Sequence, residues 1–183
     1  MGRDKALLEI HGRTLLGRTV EILSGITEDI QVVGRSSLPA DCPPTRLTAD
    51  IAASAGPLGG LHAGLRCAVH DLVICTACDY PFLSPAVLLL LAERAAGHDA
   101  AVPRVAATAH VTQAVYSSRL LPAIEAQLAA GHYRVQDVLT GHRVGWVDEA
   151  ELRPLDPDLR SLMNVNTPED WEQALVLAGE RRS

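Results

Sequence analysis

The sequence predicts a three-layer α/β/α fold built on a Rossmann-like, mostly parallel sheet. Helical and strand-like patterns alternate along the chain with short loops between them, and the run Leu72-Val73-Ile74-Cys75-Thr76-Ala77 is apolar without alternating. A strand that does not alternate has both faces covered, as in the centre of a parallel sheet between helix layers. The length of 183 residues suits a single domain, 1–183, with one substantial core.

Each element has its own signal. Residues 14–23 carry Leu15, Leu16, Thr19, Val20, Ile22 and Leu23 at one-faced helical spacing. Residues 29–33 read as a strand stopped by Gly34, and a loop with Pro39, Pro43 and Pro44 leads to a short strand at 46–49 that ends at Asp50. Gly56-Pro57 opens a helix at 58–69, with the proline in the first turn where its missing N–H costs nothing. After the apolar strand at 72–77, Ser84-Pro85 caps and starts a helix that runs to Ala96. Strands at 100–105 and 111–116, a helix at 118–130 stopped by Gly131, a short helix at 133–139 and a strand at 143–147 follow. A last short strand is expected at 162–165, before Thr167 caps a final helix begun by Pro168. Patterning is more broken in the second half, which points to an antiparallel strand or an inserted acceptor lobe.

Composition narrows the function. The chain is 48% hydrophobic and 21% charged, with 3% aromatic residues, so its core is aliphatic. The net charge of −6 and the scattered Lys and Arg argue against a nucleic-acid groove, while leaving room for a local cationic pocket. Met1-Gly2-Arg3-Asp4-Lys5 is charged with no long apolar stretch behind it, and the longest apolar run, 86–92, is far too short to span a membrane. These features predict a cytoplasmic protein. Of the four cysteines, Cys75 and Cys78 have C-x-x-C spacing. Residues three apart on a strand point to opposite faces, and no second ligand pair exists for zinc, so both read as buried reduced thiols.

Open parallel sheets bind ligands at the carboxyl ends of their strands. Asp79 stands there, just after the most apolar strand, as a metal ligand, a ribose contact or a helix cap. Gly56-Pro57-Leu58-Gly59-Gly60 is a glycine-rich helix entrance that lets a ligand approach backbone N–H groups, or lets helix and sheet pack closely.

Four motifs, in order along nearly the whole chain, carry a family resemblance. Met1-Gly2-Arg3-Asp4-Lys5 followed by Ala6-Leu7-Leu8 resembles the end of the signature L-A-G-G-x-S-x-R-M-G-x-D-K-x-L-L of molybdenum cofactor guanylyltransferases. Gly56-Pro57-Leu58-Gly59-Gly60 is similar to their G-P-L-A-G turn, and Cys78-Asp79-Tyr80-Pro81 to their C-D-x-P. Asn164-Val165-Asn166-Thr167-Pro168-Glu169-Asp170 is similar to their N-x-N-T-P-E-[DE]. His110-Val111-Thr112 departs from an H-P-T segment at Val111, and Gly34-Arg35 stands where some members carry an asparagine.

The resemblance implies a sheet of the nucleotide-diphospho-sugar transferase type. It also implies a reaction: transfer of GMP from GTP to the terminal phosphate of molybdopterin, with pyrophosphate released and Mg²⁺ as cofactor. By the resemblance, Lys5 contacts the triphosphate, Asp50 the guanine nucleotide, and Asp79 the Mg²⁺, with Asn166 as a second polar group near the metal. Molybdoenzyme-maturation proteins are the implied partners. His110 is read as an acceptor contact or a structural histidine, and His62 as a packing residue. Nucleotidyl transfer to another acceptor (cytidylyl or sugar phosphate) is the alternative reaction, and a non-catalytic relative the alternative class. The family signature also has a strand and a glycine-rich loop ahead of the matching methionine. Met1 is therefore expected to be internal, with the native protein beginning roughly ten to twenty residues earlier, because in such sheets the first strand lies centrally.

Overall fold

The computed structural model describes residues 4–50 and 53–180. A 3-10 turn at Lys5–Leu7 leads into a hairpin, β1 (Glu9–Ile10) and β2 (Arg13–Thr14), then α1 (Leu15–Ser24), β3 (Gln31–Val33) and β4 (Arg46–Thr48). Next come α2 (Pro57–Cys67), β5 (Leu72–Thr76), α3 (Pro85–Ala95), β6 (Ala100–Val105), β7 (Thr108–Ala109) and β8 (Gln113–Ser117). The chain continues through α4 (Leu121–Ala129), α5 (Val135–Val138), β9 (Val144–Asp148), α6 (Glu149–Leu152) and α7 (Pro168–Leu177).

The expected three layers are present. On one face, α2, α4 and α5 bury Leu58, Leu61, Ile124 and Val138 against Ala100, Val102, Ala114 and Tyr116 of the sheet. Neighbouring strand residues point the other way. Ala101, Val115 and Val147 therefore meet Val87 and Leu91 of α3 and Leu152 of α6 on the opposite face. Val32 of β3 packs on Leu16 and Val20 of α1, while the adjacent Gln31 side chain donates to the Gly64 carbonyl of α2 at 2.7 Å. Thus α1 and α2 cover opposite faces of β3.

The sheet is mixed. Parallel pairs join β3 to β4 and β6 to β9, whereas β8 lies antiparallel between β5 and β6. That is the antiparallel strand expected in the second half. Two expectations need correction. Residues 162–165 form no strand: a 3-10 turn at Arg160–Leu162 runs into extended chain, and Val165 N–H makes one bond, to the Asp79 carbonyl at 2.8 Å. A single bond fixes that segment without building a ladder. The apolar strand β5 is also only half-buried, because it pairs with β8 alone and its other edge faces a cavity of about 560 Å³. Two hairpin turns escaped the pattern reading. His11 and Gly12 both have positive φ between β1 and β2, and Ala106 and Ala107 do between β6 and β7. Such turns match the twist of the strands they join. No helix among the described residues is long and apolar enough to cross a membrane.

The entrance to α1 shows how a loop is tied to the core. Thr14 caps the helix, its hydroxyl oxygen accepting from Gly17 N–H at 3.0 Å. Asp41, from the proline-rich loop, accepts in turn from Thr14 N–H at 2.8 Å and from the Thr14 hydroxyl at 2.9 Å. A Cβ on Gly17 would collide with that carboxylate, so the glycine makes room for it. Burial pushes the Asp41 carboxyl up, but the two Thr14 donors and the Arg13 guanidinium outweigh it and hold it below the usual range. Asp41→Ala is expected to lower unfolding stability by about 1–2 kcal/mol at neutral pH. A depressed folded pKa contributes fully above the unfolded value of about 4 and fades as pH falls through the folded one. Urea melts of the two proteins should therefore converge under acid conditions; a difference that persists at the lowest pH would refute the carboxylate's role.

Candidate functional site

The carboxyl ends of β3, β4 and β5 lie on one edge of the molecule, and the residues singled out by sequence collect there in two groups. The first group is Lys5, Asp79 and Asn166. Lys5 is held by the 3-10 turn it begins: the Asp4 side chain caps that turn by accepting from Ala6 N–H at 3.1 Å, and Leu8 N–H returns to the Lys5 carbonyl. Its ammonium donates to Asn166 Oδ1 at 2.7 Å and stands 3.5 Å from Asp79 Oδ2. Residues 161 positions apart are thereby joined.

Asn166 is placed by the start of α7. Its backbone N–H and that of Thr167 both donate to Asp170 Oδ2, at 2.9 and 2.8 Å, while Thr167 caps the Asp170 N–H. Those two backbone donors hold the Asp170 carboxyl below its usual range. The acid in the N-x-N-T-P-E-D run therefore serves the loop geometry. Asp79 is fixed from behind, since its carbonyl accepts from Val165 N–H and the next residue, Tyr80, is buried with its hydroxyl 2.8 Å from Thr112 Oγ1.

The second group surrounds Asp50. It lies two residues past the end of β4, with its side chain about 4 Å from where a Cβ on Gly34 would be. Gly34 has φ +78° and turns the chain out of β3, so the adjacent Arg35 reaches back to Asp4 Oδ2 at 2.8 Å. The Arg35–Asp4 pair connects the turn beside Asp50 to the segment that carries Lys5. That pair was not singled out from sequence, because only folding brings positions 31 apart together.

Other residues take structural positions. The His62 imidazole Nε2 lies 3.4 Å from Glu125 Oε1, linking α2 to α4. His110 is half-buried, and desolvation pushes its imidazole below the ordinary value, favouring the neutral form. Its backbone N–H donates to the Pro103 carbonyl, and no hydrogen bond or ion pair joins it to Lys5, Asp79 or Asn166 among the described residues. Cys75 and Cys78 are free thiols, both pushed up by burial, Cys75 to about 11. That suits neutral packing groups. Gly56, ahead of α2, has φ 57° and ψ −137°, a conformation that favours glycine and lets the helix entrance turn sharply.

A cation fits this donor set. Asp79 Oδ1 is buried without a hydrogen-bond partner, while Oδ2 faces the Lys5 ammonium. A buried carboxylate oxygen left without a donor is costly unless something charged completes it. No group of three or more His, Cys, Asp or Glu gathers among the described residues. A divalent cation can be held by one or two carboxylates together with waters and substrate phosphates.

A 183-residue alignment covering all of this chain and 89% of the relative gives 34% identity to a protein of Pelotomaculum thermopropionicum named probable molybdenum cofactor guanylyltransferase. Among solved structures, molybdopterin-guanine dinucleotide biosynthesis protein A from Archaeoglobus fulgidus superposes with a TM-score of 0.77, at 23% identity over 97% of this chain and 92% of that one. A Mycobacterium tuberculosis protein solved as a complex with manganese superposes with a TM-score of 0.64, at 17% identity over 96% of this chain and 93% of that one. The family description that matches residues 1–145 is the MobA-like NTP transferase domain, and with that match the chain belongs to the MobA-like NTP transferase family.

Proposed function

We propose that the chain transfers GMP from GTP to the terminal phosphate of molybdopterin, forming molybdopterin guanine dinucleotide and pyrophosphate. The observation that carries the reading is the Lys5–Asp79–Asn166 group at the strand ends, in a chain 34% identical along its whole length to a relative named for that activity. The product would pass to molybdoenzyme-maturation proteins.

The acceptor phosphate is already an anionic nucleophile, so the reaction needs no general base. An acceptor oxygen bonds to the α-phosphorus as the bond to the β-phosphate bridging oxygen breaks, and pyrophosphate leaves with that electron pair. What the protein must supply is in-line positioning and positive charge where charge accumulates. Lys5 brings a fixed ammonium whose turn is already formed, so little reorganisation is needed when phosphates arrive. Asp79 and Asn166 would hold Mg²⁺ through Asp79 Oδ1 and the amide oxygen. Bound there, Mg²⁺ would neutralise phosphate charge and polarise the phosphorus–oxygen bond. Asp50, beside Gly34, would serve the guanosine end of the nucleotide.

Asp79→Asn keeps the side-chain shape but removes the charge. It is expected to lower divalent-cation-dependent pyrophosphate release by about a hundredfold or more, with an unchanged circular-dichroism spectrum. Turnover at the parent rate would remove Asp79 from the mechanism. Lys5→Met should cost about as much, and its loss should fall mainly on kcat if the ammonium acts on the charge that develops during transfer. An effect confined to KM would make Lys5 a ground-state binding group only. Calorimetry with GTP, CTP and ATP in the presence of Mg²⁺ should show GTP bound tighter by about tenfold or more. A preference for CTP would move the reaction to the cytidylyl alternative, and no binding of any triphosphate would favour a non-catalytic relative.

A further inference from the structure

The strands divide the carboxyl edge into two halves about Lys5, which lines the cavity between β3 and β5. On one side, β3 and β4 lead to Asp50. On the other, β5 is followed by β8, β6 and β9. Of these four strands only β8 runs the other way, so β5, β6 and β9 all end on the edge that carries Asp79. The ladders also set the height. Ile74 is level with Val115, and Val115 with Ala101. Counting three residues onward on both strands, Arg104 of β6 is level with Ala77, just short of Asp79. Two strand spacings of about 4.8 Å separate β5 from β6, so the two strand ends stand on the order of 10 Å apart. With the nucleoside on the Asp50 side and the phosphates at Lys5, the half left for an acceptor lies over β8, β6 and β9.

What that half presents is a flat cation. Arg104 and Asp148 form the last matched pair of the parallel β6–β9 ladder. The guanidinium donates through Nε to Asp148 Oδ1 at 2.8 Å and through Nη2 to Oδ2 at 3.0 Å. A two-pronged pair fixes the plane of the guanidinium as well as its position. The carboxylate is steadied in turn, since Asp148 N–H donates to Glu151 Oε2 at 3.3 Å. Its hydrogen bonds from Arg104 hold the carboxyl below the usual range, so the pair stays charged at neutral pH. Arg104 Cζ lies over the Trp146 ring, 5.0 Å from its centroid. Trp146 packs against the core beneath α2, α4 and α5. One face of the guanidinium is thus turned to the indole. The Arg104 and Asp148 side chains remain 41% and 50% exposed, which leaves the other face open to solvent. An ion pair this exposed adds little to stability. Its distinctive product is a rigid plane at the sheet edge.

We infer that the open face of the Arg104 guanidinium is a stacking surface for the acceptor, and that it takes a flat, fused nitrogen heterocycle of the pterin class. A cation against a ring face is the attraction already made on the Trp146 side. A second flat ring on the outer face completes a sandwich with the guanidinium in the middle. The gap from Arg104 to the Lys5–Asp79 pair suits an acceptor whose ring and phosphate are joined by a short side chain. A sugar phosphate has no flat face to place there, so this surface favours a pterin over that alternative acceptor. Asp148 acts through Arg104, holding its plane, and does not itself touch the ring. The inference rests on the proposed reaction only for where the nucleotide lies.

Binding of pterin itself, the fused ring without side chain or phosphate, tests the surface apart from turnover. Fluorescence titration with pterin and calorimetry with GTP and Mg²⁺ would be run on the parent, Arg104→Lys and Asp148→Asn. Lysine keeps the charge and loses the plane. Arg104→Lys should weaken pterin binding by about tenfold or more, and Asp148→Asn should weaken it less, with GTP affinity in both within about twofold of the parent. No pterin binding by the parent, or equal binding by parent and Arg104→Lys, would overturn the inference and leave the nucleotide reading untouched. Parallel loss of GTP and pterin binding in Arg104→Lys would overturn it too, by giving Arg104 a general structural role. A parent that binds pterin through Arg104 but does not bind GTP would support the stacking surface and count against the proposed reaction.

Discussion

The contact of the Lys5 ammonium with Asn166 and Asp79 is the constraint on which the geometry of the candidate site depends. It gathers the first turn, the loop after β5 and the start of α7 at one place. Each partner is fixed from behind: Lys5 by the Asp4 cap, Asp79 by Val165, and Asn166 by Asp170. Three short segments without long ladders of their own are thereby held to within hydrogen-bonding distance. In the proposed reaction, charge neutralisation at a phosphate gains most when its donors are already in place, which is what this arrangement would provide.

Much of the fold is legible in the sequence because the signals are local. Thr14, Ser84 and Thr167 cap helices, and Pro57, Pro85 and Pro168 sit in first turns, as their residue types predict. The layers follow from strands and helices alternating in order. The fully buried character read for β5 does not hold, since the strand pairs with β8 on one edge and lines a cavity with its residues 73–76. Residues 162–165 mislead for a related reason: Leu162 and Val165 are buried, yet one bond to Asp79 suffices to place them. The turns at Ala106-Ala107 and His11-Gly12 escape a sequence reading because alanine and histidine give little warning of positive φ.

The site divides along the same line. Lys5, Asp79 and Asn166 lie in motifs whose order along the chain can be read, and the structure brings the three together. Asp50 can be read as a strand-end acid, but its connection to the Lys5 segment through Arg35 and Asp4 depends on how β3 ends at Gly34. Pairings between distant positions, such as Asp4 with Arg35 or Thr14 with Asp41, leave no spacing signal and emerge only from packing.

The depth of Cys75 has a consequence for the chemistry of labelling. Its thiol lines the cavity beside β5 and is pushed up to about 11. At neutral pH only about one molecule in ten thousand then carries the thiolate, the form that attacks alkylating reagents. The exposed Cys67, on the outer end of α2, is open to solvent instead. A single polypeptide thus holds a fast and a slow sulfur. The ratio of their rates of modification by one reagent would then track how often the interior beside β5 opens to solvent.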